Sequence, residues 1–261
     1  MPDTNDILLA AIGNSRLRAG LWRGGEVVDA CSITHAEIEE PGGPVERLIA
    51  GTRVCVLAGV HRDTADRFER IVRDLRPGAE VMRVGRDVPI HIRHSLDDAS
   101  TVGQDRLLNA VAAFSRAEQA CVVIDAGTAV TVDFVDGEGV LHGGVIAPGV
   151  RMMLAALHEH TDGLPEIEFE PTDPASLRGR GPFGKDTPHA MRLGAQAAVV
   201  GLVRVATERY AEHYGAYPQV VATGGDAGLF EHEEGLVEHI VPDLQLLGVG
   251  LCLDRALADE D

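Results

Sequence analysis

Two stretches of this 261-residue chain set the same small turn between apolar runs: LLAAIGNSRLRAGLW at 8–22 and VVIDAGTAVTVDFVD at 122–136. A strand that ends in a tight glycine turn presents backbone N–H groups, and such groups cradle phosphate. Ser15 in the first copy, and Thr128 and Thr131 in the second, add hydroxyl donors. Asp125 stands at the end of its strand, where a carboxylate can hold a cation that bridges phosphates. Aligned on Gly13 and Gly127, the copies differ at one telling position: Ala11 stands where the second copy has Asp125. One such turn alone reads as an ordinary hairpin. Two copies with matching flanks point to phosphate binding.

Other stretches carry chemistry of their own. GQDR at 103–106 sets a carboxylate beside a guanidinium at a helix start. Asp105 can accept the proton of a hydroxyl nucleophile as general base. Arg106 can hold a carboxylate or stabilise a transferring phosphoryl group. In isolation the same residues are a capped helix with a neighbouring surface arginine. HGGVIAPG at 142–149 and ATGGD at 222–226 join strands to glycines, which lets backbone approach a ligand or another strand closely. Gly224 and Gly225 suit the flat face of a purine, although tight packing would also account for both segments. GRGPFGK at 179–185 fits two phosphate-loop spacings but neither context. Acidic, Pro-interrupted sequence precedes it, and Asp186 rather than Ser or Thr follows Lys185. It reads as a loop opening onto a helix N-terminus capped by Thr187, and such a terminus can bind an anion. His158 and His160 lie two apart at a helix end, so they do not face together as metal ligands.

The elements that must position these residues follow from hydrophobic period and turn signals. Strands are expected at 7–12, 17–22, 26–31 and 53–60, with a helix over 63–75 whose inner face is Phe68, Ile71, Val72 and Leu75. A loop from 102 feeds a helix with Leu107, Leu108, Val111 and Phe114 inward. The pattern then restarts with strands at 121–125, 129–135 and 139–146, a helix near 149–159 and a loop over 161–185. A long helix runs from Thr187-Pro188 towards Tyr210, followed by a strand at 220–223, a helix after Gly224-Gly225-Asp226, and a closing helix from 244. This order predicts an α/β protein of two similar halves, 1–117 and 118–261. Each half is a mixed sheet flanked by helices, with a ligand cleft between them.

Composition bounds the partners. Apolar residues make up 45%, enough for a real core, and aromatics only 4%, so that core is Val, Leu, Ile and Ala. No apolar run approaches the roughly 18 residues of a membrane span. The start, MPDTNDILLA, has neither the basic region nor the cleavage pattern of a secretory signal, so a cytoplasmic protein is expected. A net charge of −18 repels nucleic acid and anionic lipid. An anionic substrate would therefore need a local basic pocket. Cys31, Cys55, Cys121 and Cys252 form no C-x-x-C pair and read as buried, reduced thiols.

Taken in order, G-N-S with a downstream basic residue, G-x-D-R, D-x-G-T-A, G-G-x-I-x-P-G, a Gly-Lys-x-Thr loop and T-G-G-D resemble the type III pantothenate kinases. These belong to the sugar kinase, heat-shock chaperone and actin superfamily. The resemblance extends to PDLQLLGVGL at 242–251 and implies duplicated ribonuclease H-like halves. It implies that Gly13, Asn14, Ser15 and Arg18 form the first phosphate turn, and that Gly127 and Thr128 contact ATP, with Gly224 and Gly225 in the nucleotide segment. It places a monovalent cation, potassium or ammonium, at Asp125. It makes Gly103, Gln104, Asp105 and Arg106 the pantothenate-binding segment, with Asp105 as proton acceptor and Thr187 as a further contact. His160 and Thr161 resemble the segment that a second subunit supplies in a homodimer. The family's first turn opens D-x-G-N-T or D-x-G-N-S, with the Asp organising Mg²⁺ on ATP; here Ala11 replaces it. The activity implied is ATP-dependent phosphorylation of pantothenate to 4′-phosphopantothenate, the first step towards coenzyme A. The alternatives are an impaired or silent ligand-binding or regulatory homologue, because a methyl cannot ligate a cation, and a phosphate-anhydride hydrolase on the same fold.

Overall fold

The computed structural model describes residues 7–40, 42–59, 61–170 and 182–260. Residues 171–181 of the expected loop over 161–185, including the first three of GRGPFGK, lie outside them. The chain forms two compact units: Met1–Arg93, Asp97–Arg116 and Asp243–Asp261 make the first, and His94–Leu96 with Ala117–Pro242 the second.

The first unit is built on strands β1 (Ile7–Ile12), β2 (Arg16–Arg23), β3 (Glu26–Thr34), β4 (Val54–Gly59) and β5 (Glu80–Arg83), in the order β3-β2-β1-β4-β5. The first three form an antiparallel meander, while β4 and β5 run parallel to β1. Alternation along β1 splits its side chains between two faces. Leu8, Ala10 and Ile12 join a core with Val45 and Ile49 of helix α1 (Pro44–Ala50) and Ala65, Phe68 and Val72 of α2 (Arg62–Leu75). The opposite face carries Leu9 and Ala11, also buried, beneath the chain's closing helix, Leu244–Glu260, which packs on β1 to β4. There the Trp22 indole N–H donates to Asp254 Oδ1 at 2.9 Å.

The second unit repeats the plan. Strands β6 (Arg93–His94), β7 (Cys121–Ala126), β8 (Ala129–Val135), β9 (Val140–Pro148), β10 (Gln219–Thr223) and β11 (His239–Ile240) lie in the order β11-β10-β7-β8-β9-β6. Again three strands meander antiparallel and the next two run parallel to the first. Val122, Ile124 and Ala126 of β7 face a core with Met191, Ala195, Val199, Val203 and Ala206. Those five fall at helical spacing along one stripe of the long helix Thr187–Tyr214. The duplicated ribonuclease H-like architecture expected from the repeat is present in both sheets.

Several local expectations change. The helix over 62–75 buries Thr64, Ala65, Phe68 and Val72, whereas Leu75, in its last turn, is 46% exposed. In α3 (Gln104–Ala117) the fully buried side chains are Leu108, Asn109, Ala110, Ala112 and Ala113; Leu107, Val111 and Phe114 are half-buried. The closing helix approaches α3 closely at Leu108: a Cβ on Gly248 would collide with the Leu108 carbonyl. After Gly224-Gly225-Asp226 there is only a 3-10 turn, Ala227–Phe230, not a helix. Helix α1 and strands β5, β6 and β11 were not expected. Cys55, Cys121 and Cys252 are buried and Cys31 half-buried, all four unpaired. Burial pushes the Cys55 and Cys121 thiols up to about 12, so both stay protonated and inert.

The helix contact sets a test. Gly248→Ala must push backbone against backbone and is expected to cost about 1–3 kcal/mol in chemical denaturation. Gly201→Ala, with no atom within 4 Å of the new methyl, should be neutral or stabilise by up to about 1 kcal/mol as a helix-interior replacement.

Candidate functional site

In open α/β sheets, ligands sit beyond the carboxyl ends of the parallel strands. In the first unit β1, β4 and β5 are parallel, so Ile12, Gly59 and Arg83 end at one edge. The Gly13–Ser15 turn leaves β1 at that edge. Gly13 N–H donates to Arg16 O at 2.9 Å, and Asn14 and Ser15 stand exposed. Val84 follows β5 at the same edge, and its carbonyl accepts from Gln104 Nε2 at 3.0 Å. That bond ties the start of α3, with Gly103, Asp105 and Arg106, to the edge that carries the first turn. The Asp105 carboxylate accepts from the Arg106 amide at 2.9 Å and curls back over Gly103, where a Cβ would collide with it.

Ala11 sits directly opposite Arg18 in the β1–β2 register and is 2% exposed. Arg18 Nε donates to Asp243 Oδ1 at 2.6 Å, an ion pair whose two side chains are each about 30% exposed. The neighbour of the missing carboxylate is therefore a guanidinium already held by another carboxylate. Asp243 precedes the closing helix and was not among the expected site residues.

The second unit has the same kind of edge. Asp125, half-buried, pairs in register with Thr131 on one side and Thr223 on the other. One carboxylate among hydroxyl and carbonyl oxygens suits a hard cation rather than a transition metal. Gly127 N–H closes its turn on Ala129 O at 3.0 Å, and Thr128 is exposed. Gly149 N–H donates to Thr128 O at 2.9 Å, and a Cβ on Gly149 would strike the Gly127 and Thr128 carbonyls. The amino end of α4 (Val150–Glu159) is thus set against the second turn, and helix amino ends favour anions. Gly224 (φ +96°) follows β10 in a conformation that disfavours any side chain, with the Asp125 carboxylate and the Ala126 carbonyl against its Cα. The Asp226 amide donates to Ala126 O at 2.9 Å, and its carboxylate accepts from Arg151 Nη2 at 2.8 Å. Arg151 and Asp226 draw the TGGD segment and α4 together, a pairing that sequence spacing does not reveal.

Residues His160, Thr161 and Thr187 are exposed at helix ends. Thr161 Oγ1 donates to Leu157 O at 2.7 Å. The cap of the long helix is Asp186, whose carboxylate accepts from the His189 amide at 2.8 Å, and Thr187 is its first helical residue. A shorter Thr hydroxyl loses this contest because the carboxylate adds charge to the same hydrogen bond. Beside α4 lies a cavity of about 380 Å³ lined by Arg151, Leu154, His158, Ile167 and Phe169. Glu159, Glu166 and Glu168 also line it, a poor setting for a triphosphate.

A family model described as "Type III pantothenate kinase" matches residues 7–209. The chain belongs to the type III pantothenate kinase family. A relative of that name from Rhodopirellula baltica is 51% identical over 131 residues, 49% of this chain and 44% of the relative, so the match spans less than half of that protein's length. Another, from Brevibacillus brevis, is 31% identical over 260 residues, covering 95% of this chain and 98% of the relative. Among solved structures, a conserved putative Baf family transcriptional activator from Campylobacter jejuni superposes with a TM-score of 0.62 at 16% identity, covering 96% of this chain and 99% of its own. At that identity the likeness speaks for the fold.

For this family member the Arg18–Asp243 pair is open to measurement. A double-mutant cycle with Arg18→Ala and Asp243→Ala should give a coupling of about 0.5–1 kcal/mol that shrinks with salt. Ala11→Asp places a second carboxylate opposite Arg18 and should lower that coupling. A coupling that ignores the residue at position 11 would show that the cross-strand neighbours do not compete.

Proposed function

We propose that this chain catalyses ATP-dependent phosphorylation of pantothenate to 4′-phosphopantothenate, the step that opens coenzyme A biosynthesis. One observation carries this reading beyond family membership: the Asp105 segment is tied through Gln104 to the same sheet edge as the Gly13–Ser15 turn. A proton acceptor and a phosphate cradle at one edge are what transfer to a hydroxyl requires. The pantothenate hydroxyl oxygen attacks the γ-phosphorus, the bond to the bridging oxygen breaks to leave ADP, and the hydroxyl proton goes to Asp105. The exposed Asn14 and Ser15 amides of the first turn, and the Thr128 amide of the Gly127 turn, are assigned to phosphate oxygens, and Gly224-Gly225 to the adenine. Arg106, Thr187 and, from a second copy, His160 and Thr161 hold pantothenate.

ATP enters as its Mg²⁺ complex. With a methyl at position 11, Arg18 is the cation assigned to the phosphates beside the first turn. Asp243 binds its Nε, and among the described residues its two amino groups carry no other hydrogen bond. They remain for phosphate oxygens, the geometry at which a guanidinium is strongest. Potassium or ammonium is assigned to Asp125 with Thr131 and Thr223. A homodimer is supported by the apolar exposure on β9 and α4, where Ile146 is 63%, Met152 44% and Leu157 37% exposed. Light scattering should report a dimer that Ile146→Asp weakens; a monomeric wild type would end that assignment. Four unpaired thiols suit a reducing, cytoplasmic setting.

The function is tested by ADP release with and without pantothenate and potassium. Turnover that needs pantothenate and rises with potassium is expected, whereas release indifferent to pantothenate would reveal a hydrolase instead. Asp105→Ala should lower turnover by about 10²–10⁴-fold while ATP still binds. An unchanged rate would remove Asp105 from the mechanism.

A further inference from the structure

We propose that His35 is a positioning residue for the phosphate cradle: its ring holds the Gly13 carbonyl and so aims the Asn14 amide. This rests on the assignment of the first turn to ATP. His35 Nε2 lies 3.1 Å from Gly13 O. A carbonyl only accepts, so Nε2 carries the proton. The Gly13 carbonyl and the Asn14 N–H belong to one trans peptide and point in opposite directions. Anchoring the oxygen on the His35 side therefore turns the Asn14 N–H to the other side, where Asn14 is exposed. Gly13 has no side chain with which to restrain this peptide, so the restraint comes from outside.

Polar groups pack around the ring. Thr64 Oγ1 lies 2.9 Å from His61 Nδ1, to which its one proton goes, and 3.4 Å from His35 Nδ1. His61 caps α2 by accepting from the Thr64 amide at 3.3 Å, and the two imidazoles meet edge-on at 5.4 Å. The backbone on either side is pinned as well. Thr34 N–H and Oγ1 both donate to Glu37 Oε2, at 2.6 and 2.7 Å. Arg67 donates to His35 O at 3.5 Å and pairs with Glu39 at 2.5 Å. The end of β3, the segment after it and the first turns of α2 thus converge on one ring, and that ring touches the turn. None of these residues belongs to the motifs that carry the family resemblance.

The test compares wild type, His35→Ala and His35→Gln in ATP titration calorimetry and steady-state kinetics. Loss of one hydrogen bond on the cradle should weaken ATP roughly 3- to 10-fold in His35→Ala, in both Kd and KM. kcat and the KM for pantothenate should stay within about twofold. A glutamine amide can donate to the same carbonyl, so His35→Gln should recover most of the affinity. A folded His35→Ala with unchanged ATP affinity, or a His35→Gln as weak as alanine, would overturn the proposal. Should His35→Ala fail to fold, ¹⁵N NMR of the wild-type imidazole at mildly alkaline pH decides: the Nε2–H tautomer is expected and the Nδ1–H tautomer contradicts it. A wild type that binds ATP without phosphorylating pantothenate fails the kinase reading alone and leaves this inference to the Kd. A wild type that binds no ATP overturns both.

Discussion

A strand buried on both faces can offer polar chemistry only where it ends. Both units are built on that constraint. β1 is covered by α1 and α2 on one side and by the closing helix on the other, and Leu8 to Ile12 are all buried. In β7 every residue is buried except Asp125, which stands next to last. A carboxylate further back would lie in apolar surroundings, where an unpaired charge is costly. At the penultimate position it stands near the edge, in register with Thr131 and Thr223. The glycine turns that follow are polar backbone delivered to the surface by an apolar rod.

The same constraint gives Ala11 a physical setting. It occupies in β1 the place Asp125 occupies in β7, but its neighbourhood differs. Across β2 stands Arg18, and Asp243 of the closing segment holds that guanidinium. A methyl fits under the closing helix without desolvating a charge. Ala11 is a single departure from the pattern of the resemblance, while Asp105, Asp125 and both glycine turns are present in the chain.

Much of this was legible in the sequence because it is local. The two glycine turns, the meanders around them and the long helix follow from apolar runs, period and punctuation within a few residues. The inner faces of α2 and α3 were harder. A hydrophobic stripe names the large residues, while the buried side chains of α3 include the small Ala110, Ala112 and Ala113. Strands β5, β6 and β11 are four residues or fewer, too short for alternation to register. Helix α1 carried its Gly-Pro start signal but spans only seven residues. At the two strand edges, each taken by itself, the roles of His35, Arg151 and Asp243 were invisible for another reason. Each acts through a partner at least 22 residues away, to Gly13, Asp226 and Arg18 respectively, and single-chain spacing holds no record of such pairs.

The central claim is that the backbone amides of these turns are the groups that grip ATP. Hydrogen–deuterium exchange with a non-hydrolysable ATP analogue measures this most directly, because amides that bond phosphate exchange slowly. The account predicts slowed exchange at 13–16 and at 127–129 in saturating analogue. Bound analogue with unchanged exchange in both segments would contradict it.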